Sequence, residues 1–240
     1  MPRAHLNFVL CLGVILAPVC GHAQIPSSSA AQLKLQISLS PHGKHATPAV
    51  VWLESAPGTA TPPFLPHGHY ALLQKNRMFL PHLQVVPVGT AVQFPNADPF
   101  FHNVFSLFDG KRFDLGLYEA GSSKSVTFSR QGVSYVFCNI HPEMSAVVLA
   151  LSTPLYAVAD GNNAVLLSNV PAGDYFLHLW IEGIPQPVLE SLTRSIHVAS
   201  PNLDLGVLTV PITPIQDNSH SNKFGKEYAP SAKSPYEPNR

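Results

Sequence analysis

Cys138, His141 and Met144 follow one another at three-residue spacing in the stretch Cys138-Asn139-Ile140-His141-Pro142-Glu143-Met144, and His102 stands upstream in Phe101-His102-Asn103-Val104. The stretch supplies a thiolate, an imidazole and a thioether in order, and His102 offers a second imidazole. Two His and one Cys in a trigonal plane, with a weak axial Met, is the ligand set of a blue-copper electron-transfer site. Thiolate and thioether favour Cu(I) while imidazole tolerates Cu(II), so a site that suits neither state fully needs little rearrangement when one electron moves. Taken singly, each residue has an ordinary reading. A buried Cys is a small hydrophobe, His141 and Met144 are loop residues, and His102 is a satisfied histidine among aromatics. Four matching types in one order and setting favour the metal.

The neighbouring residues give that loop fixed ends. Residues 132–138, Gly-Val-Ser-Tyr-Val-Phe-Cys, are β-branched and aromatic after the turn Arg130-Gln131-Gly132, and read as a strand. Residues 145–151 read as the next strand, short and apolar. Cys138 then ends one strand, Met144 precedes the other, and His141 lies on the connection, which limits the freedom of all three. His102 opens a further candidate strand over 103–107, after the turn-rich Pro95-Asn96-Ala97-Asp98-Pro99. Phe94, Phe100, Phe101, Phe105 and Phe108 crowd around His102. Most of them read as core, and some as an apolar collar that keeps water from a metal.

These residues resemble the cupredoxins. The resemblance is carried by Cys-x2-His-x2-Met after Gly132-Val133-x-Tyr135-x-Phe137-Cys138, and by His102-Asn103-Val104 upstream. Phe79-Leu80-Pro81, Val86-Pro87-Val88-Gly89-Thr90-x-Val92-x-Phe94 and Asn96 add to it. The ligand-loop spacing is most similar to that of the amicyanins, which also carry Pro after the loop histidine, and the match covers residues 70–152. More broadly the chain resembles bacterial cupredoxin-containing proteins of the methylamine-utilisation type, a label that does not establish the pathway. The resemblance implies a Greek-key β sandwich and one type 1 copper held by His102, Cys138, His141 and Met144. It also implies that Asn103, beside the first ligand, supports the thiolate by hydrogen bonding. Glu143 departs from the pattern by placing a carboxylate next to the site, where it would affect potential or partner choice.

The start of the chain suggests a compartment. Met1-Pro2-Arg3-Ala4-His5 precedes an apolar run from Leu6 to Val19, and Gly21-His22-Ala23 supplies small residues before Gln24. That is the form of a secretory signal peptide over 1–23, too short in its apolar part to span comfortably as an anchor. Val19 before Cys20 argues against lipidation. Cleavage removes Cys11 and Cys20 and leaves Cys138 as the only cysteine. A lone thiol in an oxidising compartment is a liability unless buried or occupied, so the count supports the metal separately from the spacing. The expected location is the periplasm.

Acidic and basic residues balance at 14 each, and charged residues make up only 12% of the 240, with 24 prolines. Nothing resembles a phosphate-binding surface, so nucleic acid is not expected as a partner. No stretch after the leader is apolar enough for a transmembrane helix.

The chain as a whole reads as all-β. Leu33, Leu35, Ile37 and Leu39 alternate with polar residues, Pro41-His42-Gly43-Lys44 reads as a turn, and 49–53 reads as a second strand. Residues 57–69 read as a linker, and its His67-Gly68-His69 as solvated histidines rather than a metal site. Residues 70–79, 83–86 and 90–94 read as strands; Asp109-Gly110 reads as a hairpin turn, followed by alternating Phe113, Leu115 and Leu117. After Pro154 further strands are expected over 156–158, 164–167, 175–181, 195–198 and 203–210. There Ser168-Asn169-Val170-Pro171-Ala172-Gly173-Asp174-Tyr175 resembles the turn and strand of carboxypeptidase-regulatory-like and transthyretin-like sandwiches. The expectation is therefore a cupredoxin sandwich over 68–152, inserted into a second, smaller sandwich made of 32–56 and 154–211. The simpler alternative assigns 33–53 to the cupredoxin. His178, mid-strand beside Trp180, reads as structural. Residues 212–240 are polar and rich in Pro, Ser and Asn, and read as a disordered tail.

Three functions fit in different degrees. The first is a periplasmic single-electron carrier between redox proteins, a cytochrome or a dehydrogenase, with His141 as the surface exit for the electron. The second is a copper-binding protein for storage or delivery, with the second sandwich contacting a partner or polymer. An enzyme is not expected, because copper oxidases and nitrite reductases add a second centre built from His-x-His motifs. Only His67-Gly68-His69 has that form here, without partner motifs.

Overall fold

The computed structural model describes residues 30–40, 46–107, 110–199, 201–211 and 222–227. The expected leader over 1–23, the turn at 41–44, Phe108 and Asp109 lie outside them. Among the described residues the chain is all β apart from one six-residue helix. The first strands are β1 (Ala31–Ser40), β2 (Ala49–Ser55), β3 (Tyr70–Ala71), β4 (Leu73–Lys75), β5 (Met78–Leu80), β6 (Leu83–Pro87), β7 (Thr90–Pro95) and β8 (His102–Ser106). There follow β9 (Phe113–Tyr118), β10 (Ser123–Phe128), β11 (Gly132–Cys138), β12 (Ser145–Leu151), β13 (Tyr156–Val158), β14 (Ala164–Val170) and β15 (Gly173–Ile181). Helix α1 (Gln186–Ser191), β16 (Arg194–Val198) and β17 (Asn202–Pro211) complete the order.

The candidate ligands sit on a five-stranded sheet ordered β6-β12-β11-β8-β9. A three-stranded sheet, β10-β7-β3, packs across a shared core that includes Val92, Phe94, Val126, Phe128, Val104, Val136 and Val148. Strand β12 shows how one sheet serves two cores. Its side chains alternate, as strand geometry requires: Ala146, Val148 and Ala150 enter that core, while Val147, Leu149 and Leu151 enter another. Hence the uninterrupted apolar run, the pattern of a strand covered on both faces.

The second core lies among β14-β1-β17, β13-β2-β15-β16 and the outer face of β12. In β1, alternate residues from Ala31 to Leu39 are buried and those between are not. β1 pairs antiparallel with β14 and parallel with β17, and β2 pairs with β13 and β15. Hydrogen bonds tie this part to the ligand sheet: Trp180 Nε1 donates to the Tyr135 hydroxyl at 3.1 Å, and His82 Nε2 meets Glu182 Oε1 at 2.7 Å. A cleft of about 1110 Å³ remains between the layers, lined in part by Trp52, Tyr135, Phe137, His178 and Trp180.

Two expectations need correction, and two features go beyond what the sequence reading named. Residues 70–79 are not one strand: Asn76 and Arg77, both at φ 56°, turn the chain between β4 and β5. Asn tolerates that left-handed conformation; what holds Arg77 in it is a carboxylate described below. Leu117 does not continue the inward alternation of Phe113 and Leu115. A register shift accompanies Gly116, at φ 67°, so Tyr118 is buried and Leu117 is exposed. The helix α1, opened by a proline at its first turn, is too short to show a helical period in the sequence. Finally, the expected disordered tail contains a placed segment, 222–227, which lies against the ligand loop.

Candidate metal centre

Strand pairing brings the two halves of the site together. β8 lies antiparallel to β11 with Cys138 opposite Val104, so His102, two residues from Val104 on the same face, sits beside the sulfur. The loop after Cys138 closes on itself: the Cys138 N–H donates to the Met144 carbonyl at 3.2 Å, and the Met144 N–H donates to the His141 carbonyl at 3.1 Å. His141 is thereby turned back over Cys138.

Three donor atoms converge. His102 Nδ1 lies 3.6 Å from Cys138 Sγ, His141 Nδ1 lies 3.5 Å from the same sulfur, and the two nitrogens are 3.2 Å apart. Cys138 and His102 are fully buried, and His141 is partly exposed. An ion about 2.0 Å from nitrogen and about 2.3 Å from sulfur spaces such donors about 3.3–3.7 Å apart for angles between tetrahedral and trigonal. Both sulfur–nitrogen distances fall in that range, and the nitrogen–nitrogen distance lies just under it. Among the described residues this is the one group of three His, Cys, Asp or Glu close enough to hold a metal ion. Met144 is fully buried in the same core as Cys138. His67 and His69 are exposed and do not join the group. His178 stacks on Trp52 at 5.4 Å in the second part of the molecule.

The surroundings prepare the donors. Asp98 Oδ2 accepts a hydrogen bond from His102 Nε2 at 2.9 Å, which puts the proton on Nε2 and leaves the Nδ1 lone pair facing the sulfur. The same carboxylate accepts the backbone N–H groups of Asn76 at 2.6 Å and Arg77 at 3.0 Å, pinning the β4–β5 turn. Burial lowers the His102 pKa against the pull of Asp98. Burial and the nearby His102 lower that of His141. Both rings are therefore neutral donors near pH 7. Burial raises the Cys138 thiol, opposed by backbone hydrogen bonds from Asn103, Ile140 and His141. A buried thiol ringed by N–H donors and two imidazole lone pairs loses its proton readily once a cation arrives to replace it.

Asn103 contributes its backbone to the sulfur, and its carbonyl accepts the Asn139 N–H at 3.0 Å. Its side chain turns instead to Asp114, at 2.7 Å. Phe100 supplies the collar, its ring 5.3 Å from that of His102 and 5.4 Å from that of His141, with the Arg77 guanidinium 5.5 Å above it. Phe94 and Phe105 are core, and Phe101 is exposed. Glu143, exposed on the loop, adds through its charge to the rise at Cys138 and opposes the fall at His141. Asp98 is the residue the sequence does not single out. The available signal was an acid one turn of chain before a candidate His ligand, where a carboxylate commonly fixes the ring.

No protein-family model matches this chain, and no curated protein does. Solved cupredoxin structures match part of it. A purple cupredoxin from Nitrosopumilus maritimus is 25% identical, aligning 34% of this chain with 96% of its own at a TM-score of 0.31. A reduced amicyanin variant is 21% identical, over 38% of this chain and 94% of that one, at a TM-score of 0.33. A copper-containing nitrite reductase from Thermus scotoductus SA-01 is 22% identical, over 41% of this chain and 25% of that one, at a TM-score of 0.34. The metal reading rests on the donor geometry and not on these likenesses.

Proposed function

We propose that this chain is a periplasmic type 1 copper protein that passes single electrons between redox proteins, a cytochrome or a dehydrogenase. The observation that carries the reading is the convergence of His102 Nδ1, His141 Nδ1 and Cys138 Sγ to within 3.2–3.6 Å of one another in a largely buried setting. His102, Cys138 and His141 would hold one copper ion, with Met144, at the closing end of the same loop, as a fourth and weaker donor. Bound there, copper supplies a one-electron Cu(II)/Cu(I) couple.

The residues of the chain do the rest. Asp98 keeps the His102 lone pair aimed inward, and the N–H groups of Asn103, Ile140 and His141 moderate the negative charge on sulfur. Phe100 excludes water from the rings. His141 is partly exposed, with Ile140 exposed on the same loop, which gives an electron a short way out through an apolar surface. We further propose that the copper unit spans 68–152 and is inserted into a second sandwich of 32–56 and 154–211, since among the described residues β1 and β2 pair only with strands beyond Leu151.

Titrating the protein with one equivalent of Cu(II) tests this. An intense visible absorption is expected, absent in Cys138→Ser, together with electron exchange with a periplasmic cytochrome. A colourless, Cys138-dependent Cu(I) complex that exchanges no electrons would instead favour storage or delivery.

A further inference from the structure

The segment 222–227 is far along the chain from every strand of the ligand sheet, yet it touches that sheet at Asp114 and the ligand loop at Asn139. It is a self-contained turn. Asn222 Oδ1 accepts the N–H groups of Phe224 at 2.9 Å and Lys226 at 3.1 Å, and the Asn222 N–H donates to the Lys226 carbonyl at 2.8 Å. A side-chain oxygen that closes its own backbone in this way is a common means of fixing a short turn. Gly225 takes φ 71° within it.

The turn presents Lys223 to the site. The Lys223 backbone N–H donates to Asn139 Oδ1 at 2.9 Å, and its ammonium meets Asp114 Oδ2 at 2.8 Å. Asn139 follows Cys138 directly and donates its own N–H to the Asn103 carbonyl. The other oxygen of Asp114 accepts the Asn103 side-chain amide at 2.7 Å and the Gly116 N–H at 2.9 Å. Burial disfavours ionisation of Asp114, but Lys223, Asn103 and Gly116 together outweigh it and hold the carboxyl below its ordinary range. Lys223 therefore grips both chains that flank the thiolate. One is gripped at Asn139, and the other through Asp114 at Asn103, whose backbone hydrogen bonds to the sulfur.

We propose that residues 222–227 form a strap over the copper loop and that Lys223 is a positioning residue, holding Asn103 and Asn139 so that the thiolate keeps its backbone hydrogen bonds. The proposal rests on the copper reading for its consequence and on the protein alone for its geometry. Freed of Lys223, the ligand loop is less constrained, the sulfur gives up hydrogen bonding, and Asp114 is left as an uncompensated anion near the ion. Weaker hydrogen bonding to the sulfur and an anion without its counter-charge both favour Cu(II) over Cu(I), so the reduction potential falls.

The test uses the full-length chain with Lys223→Met and Lys223→Arg. In metal-free protein, amide hydrogen exchange at Asn139 is expected to be about tenfold faster in Lys223→Met than in the parent, and restored by Lys223→Arg. In copper-loaded protein, Lys223→Met is expected to show a lower potential and about tenfold faster copper loss to a chelator. Adding Asp114→Asn to Lys223→Met is expected to recover part of the lost potential, because it removes the anion that Lys223 no longer offsets, while exchange at Asn139 stays fast. Unchanged exchange at Asn139 in Lys223→Met would overturn the strap. Parental potential and release rate in a coloured variant would overturn its role at the copper. A parent protein without the visible band would overturn the copper reading itself, whatever the exchange shows.

Discussion

Asp98 holds two structures with one carboxylate. It fixes the tautomer of His102 and accepts both N–H groups of the Asn76–Arg77 turn, where Arg77 sits at a φ that costs a non-glycine residue energy. The turn in turn places Arg77 over Phe100, and Phe100 against both imidazoles. Replacing Asp98 with Ala should therefore do two things. Copper affinity should fall about tenfold to a hundredfold, as loss of a partner behind a ligating histidine does. Stability should fall by about 1–3 kcal/mol as the two part-buried hydrogen bonds to the turn are lost; chelator competition and urea unfolding measure the two separately. The four candidate ligands were legible in the sequence because each brings its own chemistry. Asp98 was not, because an acid between two prolines looks like any turn residue until the fold shows what its oxygens face.

Among the elements, β12 decides the architecture. Its period-two alternation delivers Val148 to the core that holds Cys138 and Leu149 to the core that holds Trp180. Truncating Leu149→Ala should cost about 2–5 kcal/mol in urea unfolding. The visible band of the copper-loaded protein should keep its position, since Leu149 lies on the face away from the donors. The strands themselves were readable wherever alternation or a β-branched run was strong, as in β1, β7, β11 and β12. They were misread where backbone conformation intervened: at Gly116, whose register shift sends Leu117 outward, and at Asn76–Arg77, which split an expected strand. Gly110 illustrates what no pattern reveals. A Cβ there would lie 2.2 Å from the Val133 carbonyl oxygen, so the chain before β9 can approach β11 only with glycine in that place.

At the scale of the whole molecule, the pairing of β1 with both β14 and β17 closes a loop across most of the chain, with Gln32 opposite Asn202. Such long-range pairing leaves no local trace in a sequence, and neither does the contact of Lys223 with Asp114. His82 joins the two parts, with Nδ1 at 3.1 Å from the Ser145 carbonyl and Nε2 on Glu182. The bond to Glu182 raises the His82 pKa, with burial opposing. A raised folded-state value means that this stabilisation is fully present below the unfolded pKa of about 6.5. It is lost as pH rises through the folded value. The parent should therefore be more stable than His82→Gln at pH 6, and the gap should close at alkaline pH, as followed by thermal unfolding across that range. The central claim concerns which atoms surround the ion, and X-ray absorption at the copper edge reads them directly. One sulfur and two imidazole nitrogens in the nearest shell, with the sulfur lost in Cys138→Ser, is the expected result; a shell of nitrogen and oxygen alone in the parent protein would contradict it.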